Sequence, residues 1–295
     1  MMDKTLVVSS SVAIVTTGIA AWALYKWFHT REILKTYTDK FSDLKEVQRQ
    51  LFHHFGDIKE LPQLRELIPK EAENYHVRLA QVCSDMCDRY EAKKTRVLDV
   101  GCRPGGTSFN LSTHLQKVVG TDISLYSMIV VGQQIKQFAE IGSSLSSEGG
   151  KHISHHCMRV PDKTLRERVI FWDEDVCALL YTCGKFNCVV VSNSLTHMHD
   201  PKAFLENIGL YVETGGLLII SDVYNWNNGP EEFLGGEGEC LTPSILKKLL
   251  KPIWTLQEEN NMSFYIPRCK RLAEIGNAHV TVWKRVENPE FPGQD

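Results

Sequence analysis

The chain carries no strong excess of charge of either sign. Its 295 residues include 33 Lys and Arg against 36 Asp and Glu, which gives a net charge of -3. A nucleic-acid-binding surface would show as a large basic excess, so no nucleic-acid partner is predicted. The apolar fraction of 43% and the charged fraction of 23% are ordinary for a globular protein, and the length allows one large or two small domains.

Pairs of cysteines separated by two residues are also absent. The sequence has nine cysteines, and the closest two, Cys83 and Cys87, have the spacing of one helix face. An odd number of cysteines without such pairs indicates a reducing compartment rather than a disulfide scaffold. Residues 152–157 contain three histidines and a cysteine, but they lie in a Ser- and Gly-rich region without a flanking framework. No metal site is therefore predicted.

Charge is absent again from residue 5 to residue 25, a stretch long enough for one bilayer crossing of about 20 residues. Basic residues mostly follow this stretch, at positions 26, 31, 35 and 40, against Lys4 before it. The positive-inside rule places the rest of the chain in the cytosol, so we predict a single-pass membrane anchor over residues 1–30. A cleaved signal peptide is the alternative, because residues 21–23 resemble a small-residue cleavage site.

The rest of the sequence divides into a polar helical cap (31–75), an α/β domain (76–286) and a tail (287–295). Apolar runs and helix-like segments alternate through the large domain, which predicts a doubly wound, mainly parallel, Rossmann-like sheet. The predicted strands are 96–100, 118–122, 169–172, 188–192, 216–221, 254–261 and 279–284. The predicted helices are 77–90, 107–116, 127–141, 201–212 and 243–250. Residues 142–163 are predicted to form a mobile polar loop.

One short segment carries the clearest functional signal. An apolar run ends at Asp99 and is followed by Gly101, Cys102 and Gly105, and the next apolar run ends at Asp122. In a doubly wound sheet such glycines let the backbone approach a ligand, and a carboxylate at the tip of the next strand binds a ribose diol. The segment lacks the close glycine pair of the dinucleotide form and places an acid where a pyrophosphate would be repelled. It therefore favours a cationic adenosine ligand, S-adenosylmethionine.

Further cofactor contacts are expected where the following strands end, because these ends meet at one crevice. Asp175 is predicted to accept the exocyclic amine of adenine, and Ile123 and Val176 to complete the adenosine site. Asn193 is predicted to line the methionine portion of the ligand. A solvated acidic turn around Asp175 is the alternative. The loop 221–227 contains an aromatic and amide cluster that we interpret as an acceptor pocket.

The sequence resembles the methyltransferase domain of ovothiol biosynthesis, the 4-mercaptohistidine N1-methyltransferase, which is a class I S-adenosylmethionine-dependent enzyme. The resemblance covers roughly residues 50–286 and rests on segments 51–56, 99–105, 193–201, 215–216, 224–236 and 279–285. It implies a seven-stranded sheet with an antiparallel last strand and N-methylation of a thiohistidine-like small acceptor. That domain is usually fused to an iron-dependent sulfoxide synthase, which this sequence lacks, so methylation alone is implied.

Four residues are predicted to serve the acceptor ring. An imidazole nitrogen must be neutral to attack, and at neutral pH it mostly is, because its unperturbed pKa is about 6.5. A hydrogen-bond acceptor that fixes the tautomer is then sufficient, and His197, Tyr224 and Asn225 are the candidates, with Trp226 packing on the ring. The alternatives are that His197 lies in an exposed turn and that Tyr224 and Trp226 only cap the sheet.

An amino-acid acceptor also brings a carboxylate, for which Arg268 and Lys270 are candidates, and an ammonium group, for which Glu231 and Glu232 are. Two other functions stay open. The same fold could methylate a protein histidine or a membrane-embedded small molecule, which the anchor would favour. The chain could also be a non-catalytic scaffold whose membrane segment carries the function.

Overall fold

The structure is a computed structural model that describes residues 44–123, 129–178, 183–227, 230–234, 241–251 and 253–286. The predicted anchor, the first part of the predicted cap and the tail lie outside these residues. Within the described ranges, no helix is both long and apolar enough to span a membrane.

The strands are named in chain order. They are β1 (Arg96–Val100), β2 (Lys117–Thr121), β3 (Glu140–Ser147), β4 (His152–Arg159), β5 (Val169–Trp172), β6 (Phe186–Ser192), β7 (Val212–Asp222), β8 (Trp254–Cys269) and β9 (Leu272–Arg285). Seven of them form one sheet in the order β5-β2-β1-β6-β7-β9-β8, and β3 pairs with β4. The first five strands of the large sheet are parallel, and β9 runs antiparallel to both β7 and β8. This mixed seven-stranded sheet confirms the predicted Rossmann-like α/β fold of the large domain.

Three helices precede β1 among the described residues, and the others lie between strands along the chain. They are α1 (Leu44–Phe55), α2 (Pro62–Arg65), α3 (Tyr75–Arg89), α4 (Gly106–Leu111), α5 (Val130–Phe138), α6 (Pro201–Asn207), α7 (Pro230–Leu234) and α8 (Thr242–Leu250). The start of α6 has a clear local cause, because the Asp200 carboxylate accepts the Ala203 N–H at 2.9 Å and Pro201 occupies the first turn.

Two apolar clusters cover the two faces of the sheet. Alternate residues of one strand enter different clusters: Val97 of β1 joins the cluster that contains α1 and α3, whereas Leu98 joins the cluster that contains α6 and α8. Strands covered on both faces need continuous apolar runs, and β1 and β6 are buried along almost their whole length. This requirement explains why the inner strands were recognisable from the sequence.

The order of the sheet reverses between β1 and β6. The chain moves outward from β1 to β2 and β5, then returns to place β6 on the other side of β1. In open α/β sheets the ligand crevice lies at the carboxyl ends of the strands at such a reversal. The residues that follow β1 and β6 are therefore those expected to meet a ligand.

Residues 142–163 do not form the predicted polar loop. Most of this segment belongs to the β3–β4 hairpin, with pairs from Glu140–Arg159 to Ser147–His152. The Ser- and Gly-rich composition gives little sign of a strand. Leu145 and Met158 nevertheless face inward and are buried in the cluster that also contains α1.

Several element boundaries also differ from the sequence-based ones. Helix α4 ends at Leu111 rather than near residue 116, because the hydroxyls of Ser112 and Thr113 donate to carbonyls of the preceding turn. The helix predicted over 201–212 ends at Asn207, continues as a 3-10 turn, and Val212 already begins β7. Strands β8 and β9 are far longer than predicted, since their outer arms pair with each other and include many exposed polar residues.

Candidate active site

The turn after β1 has no room for a side chain at Gly101. Its φ of +66° lies in the left-handed region, and a Cβ there would lie 2.4 Å from the Ser194 Cβ. The Ser194 hydroxyl donates to the Val100 carbonyl at 2.9 Å, which fixes the loop after β6 against this turn. The two loops at the reversal of the sheet are thus packed directly on each other.

Arg103 follows in the same turn, also with a positive φ of 52°. Its backbone N–H donates to Asp122 Oδ2 at 2.9 Å, which joins the turn to the end of β2. Its guanidinium donates to the Asn193 carbonyl at 3.5 Å. Arg103 was missed as a site residue, although a bulky cation between two glycines was a visible signal.

Asp99 is fully buried beneath this turn. The Ser108 hydroxyl of α4 donates to its Oδ2 at 2.5 Å, and within the described residues its Oδ1 has no hydrogen-bond partner. Burial raises the pKa of Asp99 to about 7, despite the hydrogen bond from Ser108. Gly105 lies nearby but lines neither of the two cavities described below. A Cβ on Gly105 would lie 2.6 Å from the Phe171 ring, so its glycine serves the packing of α4 on the sheet.

A narrow cavity of about 60 Å³ lies beside the end of β2. The residues predicted for the adenosine end line it together, namely Gly101, Asp122, Ile123, Asp175 and Val176. Asp175 Oδ1 accepts the Cys177 N–H at 2.9 Å. Asp175 Oδ2 is buried without a hydrogen bond from any described residue. An orphaned carboxylate oxygen in this position fits the exocyclic amine of adenine.

The same cavity holds one group with metal-ligand chemistry among the described residues. The ligand atoms of Asp175, Cys177 and His199 lie within 4.8 Å of one another, and His199 Nε2 is 3.5 Å from Asp175 Oδ2. Burial holds the pKa of the Cys177 thiol far above its usual range, so the thiol is protonated. A protonated thiol is a poor metal ligand, and the position of Asp175 is the one predicted for adenine.

A wider cleft of about 530 Å³ adjoins the narrow cavity, and Gly101, Arg103 and His197 line both. Residues predicted from the sequence that line the wider cleft are Asp99, Gly101, Cys102, Asn193, His197, Asn225 and Arg268. The remaining walls come from α1, α3, α4 and the outer arms of β8 and β9. The helix that precedes the α/β domain is therefore part of the cleft.

Tyr224 and Trp226 do not line either cavity. The Tyr224 N–H donates to Asp222 Oδ1 at 2.8 Å and its hydroxyl bonds to His279 Nδ1 at 3.0 Å. Trp226 donates to the Thr242 hydroxyl at 2.9 Å. These bonds and the packing of both rings against the buried cluster hold them at the sheet edge. Of the four residues predicted for the acceptor ring, the structure brings His197 and Asn225 to the cleft.

Three histidines at the far wall of the cleft were missed as site residues. His53 and His54 come from α1 and His76 from α3. The His54 and His76 rings stack with centroids 3.8 Å apart, and the His53 and His76 centroids are 4.7 Å apart. Removal from solvent lowers the pKa of all three, that of His53 to about 4, so the rings are neutral at neutral pH. His53 and His54 are adjacent, but His76 lies on a separate helix, so no regular spacing in the sequence marked the three histidines as one site.

Comparisons with known proteins find one family model and several similar solved structures. A family model described as a methyltransferase domain matches residues 49–268. No curated protein matches. Similar solved structures include N-methyltransferase NodS from Bradyrhizobium japonicum with S-adenosyl-L-homocysteine (13% identity, TM-score 0.46, covering 78% of this chain and 100% of that one). Magnesium protoporphyrin IX methyltransferase from Synechocystis with bound S-adenosylmethionine is another (16% identity, TM-score 0.43, covering 82% and 97%).

The family match spans most of the chain, and it includes β1, the glycine turn, Asp122 and the whole histidine wall. The fold, the reversal of the sheet between β1 and β6, and the orphaned Asp175 oxygen are consistent with that match. The chain belongs to the methyltransferase domain family and is a class I S-adenosylmethionine-dependent methyltransferase.

Proposed function

We propose that the enzyme methylates a ring nitrogen of a small imidazole amino acid, with 4-mercaptohistidine as the first acceptor to test. The observation that carries the proposal is the composition of the wide cleft. Its wall combines three neutral histidines with charged side chains of both signs. A zwitterionic heteroaromatic amino acid needs both kinds of contact. The resemblance to the ovothiol enzyme motivates the choice of thiohistidine.

Four of the charged residues of the cleft form two ion pairs. Glu46 pairs with Arg49 on α1, and Arg268 on β8 pairs with Glu274 on β9. All four residues line the cleft. An incoming amino acid can exchange these internal pairs for contacts between its carboxylate and an arginine and between its ammonium group and a glutamate. Lys270, the other predicted carboxylate partner, does not line the cleft.

We assign the narrow cavity to the adenosine end of S-adenosylmethionine and the adjoining part of the wide cleft to its methionine end. Asp122 would bind the ribose diol, Asp175 the adenine amine, and Ile123 and Val176 the faces of the ring. Gly101 and Arg103 line both cavities, and Asn193 lines the wide cleft next to them. We expect the sulfonium beside these three residues. The acceptor would then approach from the histidine wall.

The chemistry asks little of the protein beyond alignment. The ring nitrogen donates its lone pair to the methyl carbon, the carbon–sulfur bond breaks with its electron pair left on sulfur, and the proton of the methylated ring passes to solvent. Holding the three atoms in line contributes about 7–11 kcal/mol in favourable cases. The neutral histidine wall suits this step, because it does not protonate or repel the nucleophile.

The test uses the full chain with labelled S-adenosylmethionine and three acceptors: 4-mercaptohistidine, histidine and a histidine-containing peptide. Label transfer to 4-mercaptohistidine, with little transfer to histidine, is the expected result. Transfer to the peptide alone would refute the small-acceptor proposal in favour of a protein histidine. Asp122→Ala should abolish transfer through loss of cofactor binding. Its matched control is Asp162→Ala at an exposed position, which should transfer the label as the native enzyme does.

We also propose that residues 1–30 anchor the enzyme to a membrane with the catalytic domain in the cytosol. The proposal rests on the uncharged stretch and the basic residues that follow it. The cytosol is where a soluble cofactor and a free amino acid would both reach the cleft.

A further inference from the structure

We propose that His53 is a positioning residue whose Nε2 accepts a hydrogen bond from the ring N–H of the acceptor, while His54 donates from its own Nε2. This inference rests on the proposed function and specifies how the acceptor is oriented. An imidazole has one N–H and one lone pair. A partner that accepts the N–H leaves the opposite nitrogen as the nucleophile.

The tautomer of His53 is fixed by the backbone. Its Nδ1 lies 2.7 Å from the Tyr265 carbonyl oxygen on β8. A carbonyl can only accept, so the proton is on Nδ1 and the lone pair is on Nε2. With the pKa of His53 lowered to about 4 by removal from solvent, the ring keeps this neutral form at neutral pH.

The tautomer of His54 is fixed in the opposite sense. The backbone N–H of Gly106 donates to His54 Nδ1 at 3.0 Å. Nδ1 therefore carries the lone pair and the proton is on Nε2. Two successive residues of α1 thus present opposite hydrogen-bonding groups, and both line the wide cleft. His76 cannot be assigned in this way, because its Nδ1 partner is the Thr107 hydroxyl, which can donate or accept.

The surroundings of His53 favour a lone pair rather than a charge. Its ring is packed between Tyr75, His76 and Phe264, with centroids at 6.0, 4.7 and 5.8 Å. The titratable and charged groups that face it are His54, His76, Tyr75 and Arg103. Burial keeps Tyr75 protonated, with its pKa raised to about 12, and keeps both histidines neutral. Arg103 is then the charge that disfavours protonation of His53.

The substitution pattern of 4-mercaptohistidine matches this pair. A sulfur on C4 is adjacent to N3 and is not adjacent to N1. A ring that donates N3–H to His53 offers its neighbouring thiolate to the Nε2–H of His54. The N1 lone pair is then on the far side of the ring. Histidine itself lacks the thiolate, so it can bond to His53 but not to His54.

The first test measures the tautomers directly. Selective nitrogen-15 labelling of histidine in the full chain, with His53→Phe and His54→Phe for assignment, reports which nitrogen of each ring carries the proton. We expect Nδ1 protonation for His53 and Nε2 protonation for His54. Imidazole added as a probe with S-adenosylhomocysteine should shift the His53 Nε2 resonance. The reverse tautomer at His53, or no shift with imidazole, would overturn the inference.

The second test separates positioning from folding. His53→Phe keeps the ring volume and should raise the KM for 4-mercaptohistidine by about tenfold or more, with S-adenosylmethionine affinity within about twofold of the native value. His53→Gln restores a carbonyl acceptor, should recover part of the loss, and serves as the variant if His53→Phe does not fold. An N3-methylated acceptor should be poor for the native enzyme and no poorer for His53→Phe.

The matched control is His155→Gln on the exposed β4 strand, which should leave both constants unchanged. An unchanged acceptor KM in His53→Phe and His53→Gln would refute the assignment. If the native enzyme methylates no imidazole, the proposed function fails, and the imidazole-probe measurement still decides whether His53 accepts an N–H.

Discussion

The backbone N–H of Gly106 donates to His54 Nδ1 at 3.0 Å and so ties α1 to the start of α4, the helix that follows β1. A side chain at position 106 cannot coexist with this bond, because a Cβ would lie 2.5 Å from Nδ1 and 2.9 Å from Cγ of the same ring. This bond fixes the tautomer of His54 and also holds α1 in position. Residues that precede the domain are therefore integral to its cleft.

Gly106→Ala should displace His54 and lower the free energy of unfolding by about 1–3 kcal/mol, as overpacking of a closed site does. The matched control is Gly142→Ala on β3, where a Cβ would meet no atom within 4 Å, and its unfolding free energy should stay within about 0.5 kcal/mol of the native value. Urea denaturation of the full chain measures both. Equal stability of the two variants would show that α1 is not held at this point.

The inner sheet and the cofactor turn could be predicted from the sequence because each has a local cause. A strand covered on both faces needs an unbroken apolar run, and the turn after it needs Gly101 at a positive φ. The histidine wall has no such local cause. His53 and His76 meet because α1 lies beside α3, and His53 is also bonded to the Tyr265 carbonyl on the outer arm of β8. Met262, Phe264 and Tyr265 of that arm are buried in the cluster that contains α1, but nothing in their own segment specifies α1 as the partner.

The same reasoning explains why Tyr224 and Trp226 lie outside the two cavities. Tyr224 and Trp226 follow the end of a strand, where ligand residues are common. The sequence alone does not show whether their side chains contact a ligand or pack against the edge of the sheet. The direction of each ring is set by its partners, His279 and Thr242, which lie far along the chain. The Arg103 guanidinium bonds to the Asn193 carbonyl on the loop after β6, a distant partner that no local pattern indicates.

The contribution of two buried carboxyls to stability should fall as the pH rises toward neutrality, because both prefer to stay protonated. The three buried histidines, whose pKa values are lowered, contribute with the opposite sign, so the carboxyl contribution is measured against a carboxyl variant. Burial raises the pKa of Asp99 to about 7 and that of Asp222 to about 6, from an ordinary 3.8. The folded state therefore holds protons that the unfolded chain releases near pH 4, and the stabilisation present below that pH is lost as the pH rises through the folded values. Each group contributes up to about 1.4 kcal/mol per pH unit within this window.

Asp99→Asn removes one of these protons while its amide oxygen can still accept from Ser108. Urea denaturation between about pH 4 and pH 8 should then show an unfolding free energy that falls less, or rises more, with pH than in the native protein. Asp162→Asn, at an exposed position, should keep the native slope. A native slope in Asp99→Asn would mean that Asp99 is ionised in the folded protein throughout this range.

Membrane attachment of the full chain should depend on the uncharged stretch near its start. Ile14→Arg with Ile19→Arg places two charges within it, each costing about 2.5–3.5 kcal/mol at the centre of a spanning helix. We expect the native chain to stay with membranes after alkaline extraction and the double variant to be released. Thr38→Arg, after the stretch, should behave as native. Full release of the native chain at alkaline pH would contradict the anchor.

The orphaned oxygen of Asp175 gives a test of cofactor orientation that does not need the acceptor. If Oδ2 accepts the adenine amine, replacing that amine by a carbonyl leaves two acceptors facing each other. S-inosylhomocysteine should then bind the native enzyme about 10–100-fold more weakly than S-adenosylhomocysteine, as expected for a lost hydrogen bond to a charged group.

Asp175→Asn can donate to the carbonyl, so it should lose most of this discrimination. His199→Gln changes the other neighbour of Oδ2 and serves as the control, since it should still prefer the adenosine ligand. Calorimetric titration of the three proteins with both ligands measures the effect. Equal discrimination by the native enzyme and Asp175→Asn would place adenine elsewhere, and the group formed by Asp175, Cys177 and His199 would then need another explanation.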